Sequence, residues 1–520
     1  MGFVIDPPIA TKILKMKERV RWGDRGLIDH NIDQTQLVID DQQPDSQTFS
    51  FLVLGDSGTG YHRGHNPQRK IAQQMLAHQD SCRFTLHTGD VIYLVGSSEY
   101  YPRNFIEPYQ EWLVGGDQPD QILYDQMLFK TAFLPVPGNH DYYDLPKFYG
   151  LLAQATLPLR YLLRHQLDLN VGWHGSYQGQ AYAKAFMDCL NRFTTQEALS
   201  HHLQQHYTAK TQHGLCLRYQ PGCFTRVPNH YYTFRVGGID FFALDSNTWN
   251  APIPLSQDQS GNASRVKLKQ QRAAIAQEHR NLLTQVMLLN LEQTEDPDQL
   301  DDVQAKLEQL AEMMRDIDKQ LAANESTMTD MEQLEWLQQR LIESWQCDEV
   351  RGRVLYFHHP PYVTEATKWK QAQTLAVRDR LRQVLNAVAE KIGPLAENRP
   401  IVDLVINGHA HCFEHLQTTH TGHADSHTNW IVCGGSGFSL RRQRPEGEEL
   451  TELQDNTETV IARSHLFVGR NGQGKHKRRP YSFVRVDVKE GCPPQFVVRP
   501  FVAEWSHRKW HEYAIEPFEI

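Results

Sequence analysis

The chain has 520 residues, more than one compact core usually holds, so it should form two or three units or one large domain with insertions. Its 53 Lys and Arg against 62 Asp and Glu leave a net charge of −9, which argues against a nucleic-acid coat, since that needs a basic face. Hydrophobic residues at 40% and charged residues at 22% are ordinary for a soluble globular protein.

No run reaches the roughly 18 apolar residues that a membrane-spanning helix needs. The stretch MGFVIDPPIATKILKMKERV lacks a basic-then-apolar leader pattern, and Asp6 stands where a myristoylation signal needs Ser or Thr. Eight cysteines, none in a CxxC pair, fit reduced thiols. On these absences the expected compartment is cytoplasmic.

Residues 1–48 carry little pattern and read as an N-terminal extension, closed by the polar linker DDQQPDSQ (40–47). TFSFLVLGD (48–56) is a short apolar run stopped by Gly-Asp, the signature of a buried strand and a turn. PQRKIAQQMLAHQ (67–79) reads as a helix. The strand grammar then recurs in CRFTLHTGD (82–90) and TAFLPVPGNHD (131–141). Residues 142–229 are rich in Tyr, His and Leu without a clear period and read as an irregular or helical insert. YYTFRVGGIDFFALD (231–245) is two strands around Gly237-Gly238, a hairpin signal.

Residues 265–345 differ from their surroundings. Leu300, Val303, Leu307, Leu310, Met314, Ile317 and Leu321 repeat at alternating spacings of three and four, an a/d seam. Ile275, Leu282, Val286 and Leu289 give a weaker version of it, and EDPDQ (295–299) separates the two. An antiparallel helical hairpin inserted in a catalytic domain is expected. It is either a packing arm or a handle for a partner or a second copy. Beyond it RVLYFHHPP (353–361) and PIVDLVINGHAH (400–411) repeat the strand grammar, with a helix between at 375–392. FVRVDV (483–488) and QFVVRPF (495–501) read as late strands, and RNGQGKHKRRP (470–480) as a solvated basic loop.

Five strands thus end on a candidate ligand, and layered α/β folds build sites at the carboxyl ends of strands. The candidates are Asp56, Asp90, Asn139, His358, His409 and His411, with Tyr93 close by. Carboxylate and amide oxygens with imidazole nitrogens suit Zn, Fe or Mn better than Ca. Two ions sharing a carboxylate would clamp a phosphate ester and lower the pKa of bound water to near neutral. A lone Gly-Asp is mostly a turn and a lone His mostly a core or surface residue. All five motifs in this order rarely arise by chance.

The segments GDSG (55–58), GDVIY (89–93), GNHD (138–141), LYFHHPPY (355–362) and GHAH (408–411) resemble the motif series of the calcineurin-like metallophosphoesterases. The resemblance covers about 49–141 and 231–440 without the helical insert. It implies a four-layer αββα sandwich of two mixed sheets. The catalytic domain would be 49–264 and 346–520, interrupted by the insertion at 265–345. Most of that superfamily has His where this chain has Gly58. The purple acid phosphatase branch lacks that His and uses a Tyr phenolate on ferric iron, and it resembles this chain at Tyr93 and loosely at CFEH (412–415).

By this resemblance Asp56, Tyr93 and His411 hold a first metal, Asp90 bridges, and Asn139, His358 and His409 hold a second. The pair would be Fe(III) with a divalent Fe, Zn or Mn. Asn139 and His140 would contact substrate, and His140 would protonate the leaving oxygen. Asp141 would orient His140 or serve as a turn residue. The fourth motif leaves His358 and His359 open; the family's HxPxY spacing selects His358 and leaves His359 as a phosphate contact or a helper. The implied activity is hydrolysis of a phosphomonoester by metal-activated hydroxide. A phosphodiester such as a cyclic nucleotide or phospholipid head group is the rival substrate, and a non-catalytic scaffold presenting the helical arm is the rival class.

Overall fold

The computed structural model describes residues 4–58, 62, 64–145, 175–291, 297–396, 399–454, 457–473 and 476–520; for 286–291 and 297–300 it describes the backbone only. In chain order the first nine strands are β1 (Ile32–Ile39), β2 (Phe49–Leu54), β3 (Phe84–His87), β4 (Ala132–Pro135), β5 (Ala209–Thr211), β6 (Gly214–Tyr219), β7 (Tyr232–Val236), β8 (Ile239–Ala243) and β9 (Gly352–Phe357). They are followed by β10 (Leu404–Asn407), β11 (Phe413–Thr418), β12 (Asn429–Cys433), β13 (Glu449–Gln454), β14 (Thr457–Val468), β15 (Arg479–Val488), β16 (Phe496–Ser506), β17 (Lys509–Ala514) and β18 (Phe518–Glu519).

These strands form two mixed sheets. One runs β13-β14-β11-β12-β10-β9-β8-β7-β1-β6-β5, and the other β17-β16-β15-β2-β3-β4 with β18 on β16. Strands β2, β3 and β4 are parallel to one another, as are β8, β9, β10 and β12. A parallel strand is covered on both faces, so its sequence is a continuous apolar run rather than an alternation. β3, β4, β9 and β10 are accordingly buried at every residue.

The sheets stack face to face on aromatic rings. Phe51 and Phe84 of one sheet meet Phe241 of the other edge-on at 5.5 and 5.2 Å between centroids, and Phe84 meets Phe234 at 5.4 Å. Each such pair adds about 0.5–1.5 kcal/mol beyond its buried area. The helix Pro67–Gln79 covers the smaller sheet at β15 and β16. Helices Met331–Gln346 and Ala372–Ile392 cover the larger one, burying Leu337, Leu341, Val377 and Val388 against Leu355, Phe357 and Val405. The result is a four-layer αββα sandwich, as expected. No helix of the described residues is long and apolar enough to cross a membrane.

Three segments depart from the sequence reading. Residues 4–48 are not an appendage: the helix Ile9–Val20 buries Met16 and Val20, and β1 lies inside the larger sheet between β7 and β6. The pattern is obscured because that helix also buries charges. Lys12 pairs with Asp6 at 2.6 Å, and Arg19 donates to the carbonyls of Gln178 and Tyr177. In 142–229, residues 146–174 fall outside the described set. The remainder carries helices Gln180–Phe186 and Gln196–His206, with β6 parallel to β1.

The third is the extent of the inserted hairpin, which forms antiparallel as expected but within other bounds. A first arm helix (Gln259–Leu291) and a second arm helix (Pro297–Ala322) run antiparallel, joined by Arg272–Asp318 at 2.7 Å and Lys306–Glu278 at 3.5 Å. Ile275, Leu310 and Ile317 form their buried seam with Leu268, Leu282, Met314 and Leu321 packed around it. The seam positions Val286, Leu289 and Leu300 lie outside the described side chains. The hairpin ends at Ala322. Residues 331–346 form a separate helix, started by the Asp330 side chain accepting from the Gln333 N–H, and belong to the main core.

Candidate metal centre

The strands β2, β3, β4, β9 and β10 all end at one edge of the sandwich, and the chain turns there onto Asp56, Asp90, Asn139, His358 and the pair His409 and His411. Four of these turn residues have left-handed backbones: φ is 54° at Asp56, 54° at Asp90, 67° at His409 and 46° at His411. A non-glycine residue there costs about 1–2 kcal/mol. Hydrogen bonds between the loops hold it: Asp56 N–H to the Gly89 carbonyl at 3.0 Å, His409 N–H to Asp56 Oδ2 at 2.8 Å, and His140 N–H to Asp90 Oδ1 at 2.8 Å.

The side chains gather in two adjoining pockets. In the first, the Tyr93 phenol oxygen lies 2.8 Å from Asp56 Oδ1, 2.8 Å from Asp90 Oδ2 and 3.3 Å from His411 Nε2. In the second, His358 Nε2 lies 3.0 Å from Asn139 Oδ1, 3.3 Å from Asp90 Oδ2 and 3.2 Å from His409 Nδ1. Asp90 belongs to both, and every donor is buried. The sets Asp56, Asp90, His411 and Asp90, His358, His409 each place their ligand atoms within 4.8 Å of one another.

His358 and His359 are separated by orientation. His358 Nδ1 faces the Thr88 carbonyl at 2.9 Å, which turns Nε2 into the second pocket. His359 turns away, with Nδ1 on Ser246 Oγ at 2.7 Å and Nε2 near Asn250 at 3.3 Å. His140 Nδ1 donates to the Leu94 carbonyl at 2.7 Å, and its ring lies on Tyr93 and Tyr143 at 4.3 and 4.8 Å. Asp141 does not touch that ring. Its carboxylate accepts from the backbone N–H groups of Gly138, Val91 and Ile92 at 2.8–3.2 Å, tying the second and third motif loops together. Its place is that of a loop brace.

Gly58 is a packing requirement. A Cβ there would lie 1.7 Å from the Val91 carbonyl oxygen, and the Gly58 carbonyl accepts the Tyr93 N–H at 2.9 Å. No histidine fits at this position, and the Tyr93 phenol reaches the first pocket from the loop that packs on it.

The electrostatics ask for a cation. Burial pushes the Asp56 carboxyl up to about 8; His358 opposes the shift and Asp90 adds to it. Burial works against the His358 imidazolium, but the Asp90 carboxylate outweighs it and lifts the group to about 9. Burial would raise Asp90 as well, yet His358 and then His140 hold it far below the carboxylate range. Burial keeps His409 and His411 neutral well below their usual range, helped by Lys368 and Arg441 respectively. Tyr93 is raised by burial and by its two carboxylate neighbours. A metal ion among these groups would favour their deprotonated forms. Two carboxylates, an amide oxygen, a phenol and three imidazoles converging on two buried pockets fit such ions.

The second arm helix lies over this edge, as an insertion at 265–345 outside the common frame could; the residues that dock it were not apparent from the sequence. Glu312 approaches His409 Nε2 at 3.4 Å and pairs with Lys368, whose Nζ is 2.9 Å from the same nitrogen. Arg315 stacks on Tyr143 at 5.1 Å. Asp316 accepts the N–H groups of Ala372 and Gln373, capping the helix they open. In the basic stretch 470–480, Asn471, Gln473, His476 and Arg478 are exposed, but Arg470, Lys477 and Arg479 converge on Asp302 of this helix. Glu308, Glu312, Arg315 and Lys319 recur at spacings of four and three, which by pattern is a solvated charged stripe.

No protein-family model matches the chain, and no curated protein matches it. Among solved structures it is similar to a purple acid phosphatase, PPD1, from yellow lupin (Lupinus luteus) seeds: TM-score 0.41, 11% identity, 92% of this chain and 54% of that one. It is also similar to PhoD at TM-score 0.38 and 11% identity, over 92% and 70% of the two chains. GAP50, the anchor in the inner membrane complex of Plasmodium, is similar at TM-score 0.35 and 12% identity, over 90% and 89%. The chain spans about half the length of the lupin protein it matches.

Proposed function

We propose that the chain is a metal-dependent phosphoesterase, acting on phosphomonoesters at a dinuclear centre. The observation that carries the reading is the shared Asp90, whose carboxylate is common to two buried donor sets. Asp56, Tyr93 and His411 would hold one ion, Asn139, His358 and His409 the other. Bound there, two ions would polarise the phosphoryl oxygens and make a water acidic enough to ionise near neutral pH. A phenolate at Tyr93 is a hard anionic donor, which favours ferric iron in the first pocket.

His140 is the group placed to serve the leaving oxygen. Its Nδ1–H is committed to the Leu94 carbonyl, so Nε2 is the atom left to carry a transferable proton. Burial lowers its pKa, against the pull of Asp90, so the protonated ring gives up that proton readily. Asp90 Oδ1 accepts the His140 backbone N–H and keeps the ring beside the two pockets. Asp141 fixes the loop that carries Asn139 and His140. His359, turned onto Ser246, supports the wall of the second pocket.

The test is metal analysis and ester hydrolysis on one preparation. The protein should take up two ions and hydrolyse p-nitrophenyl phosphate, with uptake and turnover both lost in Asp90→Asn. Faster turnover of bis(p-nitrophenyl) phosphate would move the assignment to a diester. Two bound ions with no turnover of either ester would leave the scaffold reading.

A further inference from the structure

The inserted arm reaches the outer side of a candidate metal ligand. His409 Nδ1 faces His358 Nε2 inside the second pocket, at 3.2 Å. Its other nitrogen, Nε2, points outward to Glu312 at 3.4 Å and Lys368 at 2.9 Å. An imidazole that binds a metal through Nδ1 carries its hydrogen on Nε2, and that hydrogen needs an acceptor. The Lys368 ammonium has none to offer, so an Nε2–H facing it would set donor against donor. The Glu312 carboxylate can accept from both, and Lys368 already pairs with it. His409, Glu312 and Lys368 are 3%, 8% and 1% exposed, so water does not substitute for the carboxylate.

We propose that Glu312 is a positioning residue of the metal centre, and that through it the arm's docking and metal binding at the second pocket share free energy. The inference rests on the metal-centre reading above. Glu312 lies on the second arm helix, outside the sandwich that supplies the ligands. The same helix is fastened by Asp302 to Arg470 and Arg479 at 2.8 Å, by Asp316 to the N–H groups of Ala372 and Gln373, and by Lys319 to Asp6. A carboxylate on the outer nitrogen of a ligating histidine fixes its tautomer and ring and typically tightens the metal about 10–100-fold. By linkage the ion tightens the arm by the same factor. The insertion is then a removable part of the metal site.

The test needs no substrate. Zn²⁺ affinity is read by chelator competition on the full chain, and amide exchange of the second arm helix with and without Zn²⁺. Glu312→Leu with Lys368→Met removes the acceptor and the ion pair together, which spares the fold a buried unpaired charge. This double variant should keep the wild-type melting temperature without metal, lose about 10–100-fold in affinity at one of two sites, and lose the metal-dependent slowing of exchange. Glu312→Gln, whose amide oxygen still accepts, should recover part of the affinity. Lys269→Gln, on the exposed face of the first arm helix, should change nothing. Wild-type affinity in the double variant, or exchange in the arm that ignores Zn²⁺, would overturn the proposal. If the wild type shows this coupling but hydrolyses no ester, the phosphoesterase reading falls and the coupling stands. A wild type that binds no Zn²⁺ overturns both.

Discussion

Metal uptake by this site should expel a countable number of protons. In the metal-free protein His358 is lifted to about 9 and Asp56 to about 8, while Asp90 is ionised and His409 and His411 are neutral. At pH 7 the first two are almost wholly protonated, and both must lose that proton to ligate. About two protons should therefore leave per pair of ions, and about three with ferric iron if Tyr93 binds as phenolate. Two protons make the apparent affinity rise about 100-fold per pH unit until pH 8, flattening above 9. The sign for the metal-free fold is the opposite. A raised His stabilises fully below its unfolded 6.5 and loses that as pH climbs through about 9; the raised Asp56 acts in the same direction between 3.8 and about 8. Together the two groups take on the order of 2 kcal/mol per pH unit from the metal-free protein between 6.5 and 8. Calorimetric titration with Zn²⁺ in buffers of equal pH and different ionisation heats counts the protons directly. His358→Asn should lower the count by about one. A count under about half a proton at pH 7, unchanged by that substitution, would refute the reasoning.

Ferric protein should show a phenolate charge-transfer band in its visible spectrum that Tyr93→Phe abolishes; a band surviving the substitution would place another donor in the first pocket. His140→Ala should lower kcat about 10²–10⁴-fold at unchanged metal content, and an unaltered kcat would remove His140 from leaving-group protonation. Gly58→Ala drives a Cβ against the Val91 carbonyl, where nothing but backbone can yield, and should cost about 3 kcal/mol or more in urea unfolding. Arg315, whose buried Nε has no partner among the described residues, faces the Tyr143–His140 stack. Arg315→Gln should raise KM for a phosphomonoester several-fold, and an unchanged KM would confine the guanidinium to that stack.

The candidate metal edge was legible because its signals are local. Each of β2, β3, β4, β9 and β10 is a short apolar run, and the ligand follows within a few residues, so chain order alone brings Asp56, Asp90, Asn139, His358, His409 and His411 into view. Orientation was not legible. Whether His358 or His359 faces inward depends on which carbonyl or hydroxyl takes the other ring nitrogen, Thr88 or Ser246. Asp141 likewise follows from backbone N–H groups that no spacing reports. The N-terminal helix was hidden because its buried face includes Lys12 and Arg19, which periodicity counts as solvent-facing. The residues that dock the arm were hidden for the same reason: Glu312 with Lys368, and Asp302 with Arg470 and Arg479, neutralise charge only after the chain has folded.

The four left-handed residues narrow what evolution can put at this edge. Asp56, Asp90, His409 and His411 satisfy two filters at once. As candidate ligands their side chains would have to offer a donor, and their backbones sit where β-branched and bulky residues are strained and where Asn, Asp and His are several-fold enriched. Exchange of Asp for Asn at 56 or 90 passes the backbone filter and fails the charge filter. Exchange for Glu keeps the charge and meets both a longer reach and an unfavourable φ. A lineage that lost the metal would retain little pressure on these side chains but would still carry the turns. It would be expected to drift toward Asn and Gly here, so such a drift in related chains would mark abandonment of the centre more clearly than loss of any single ligand.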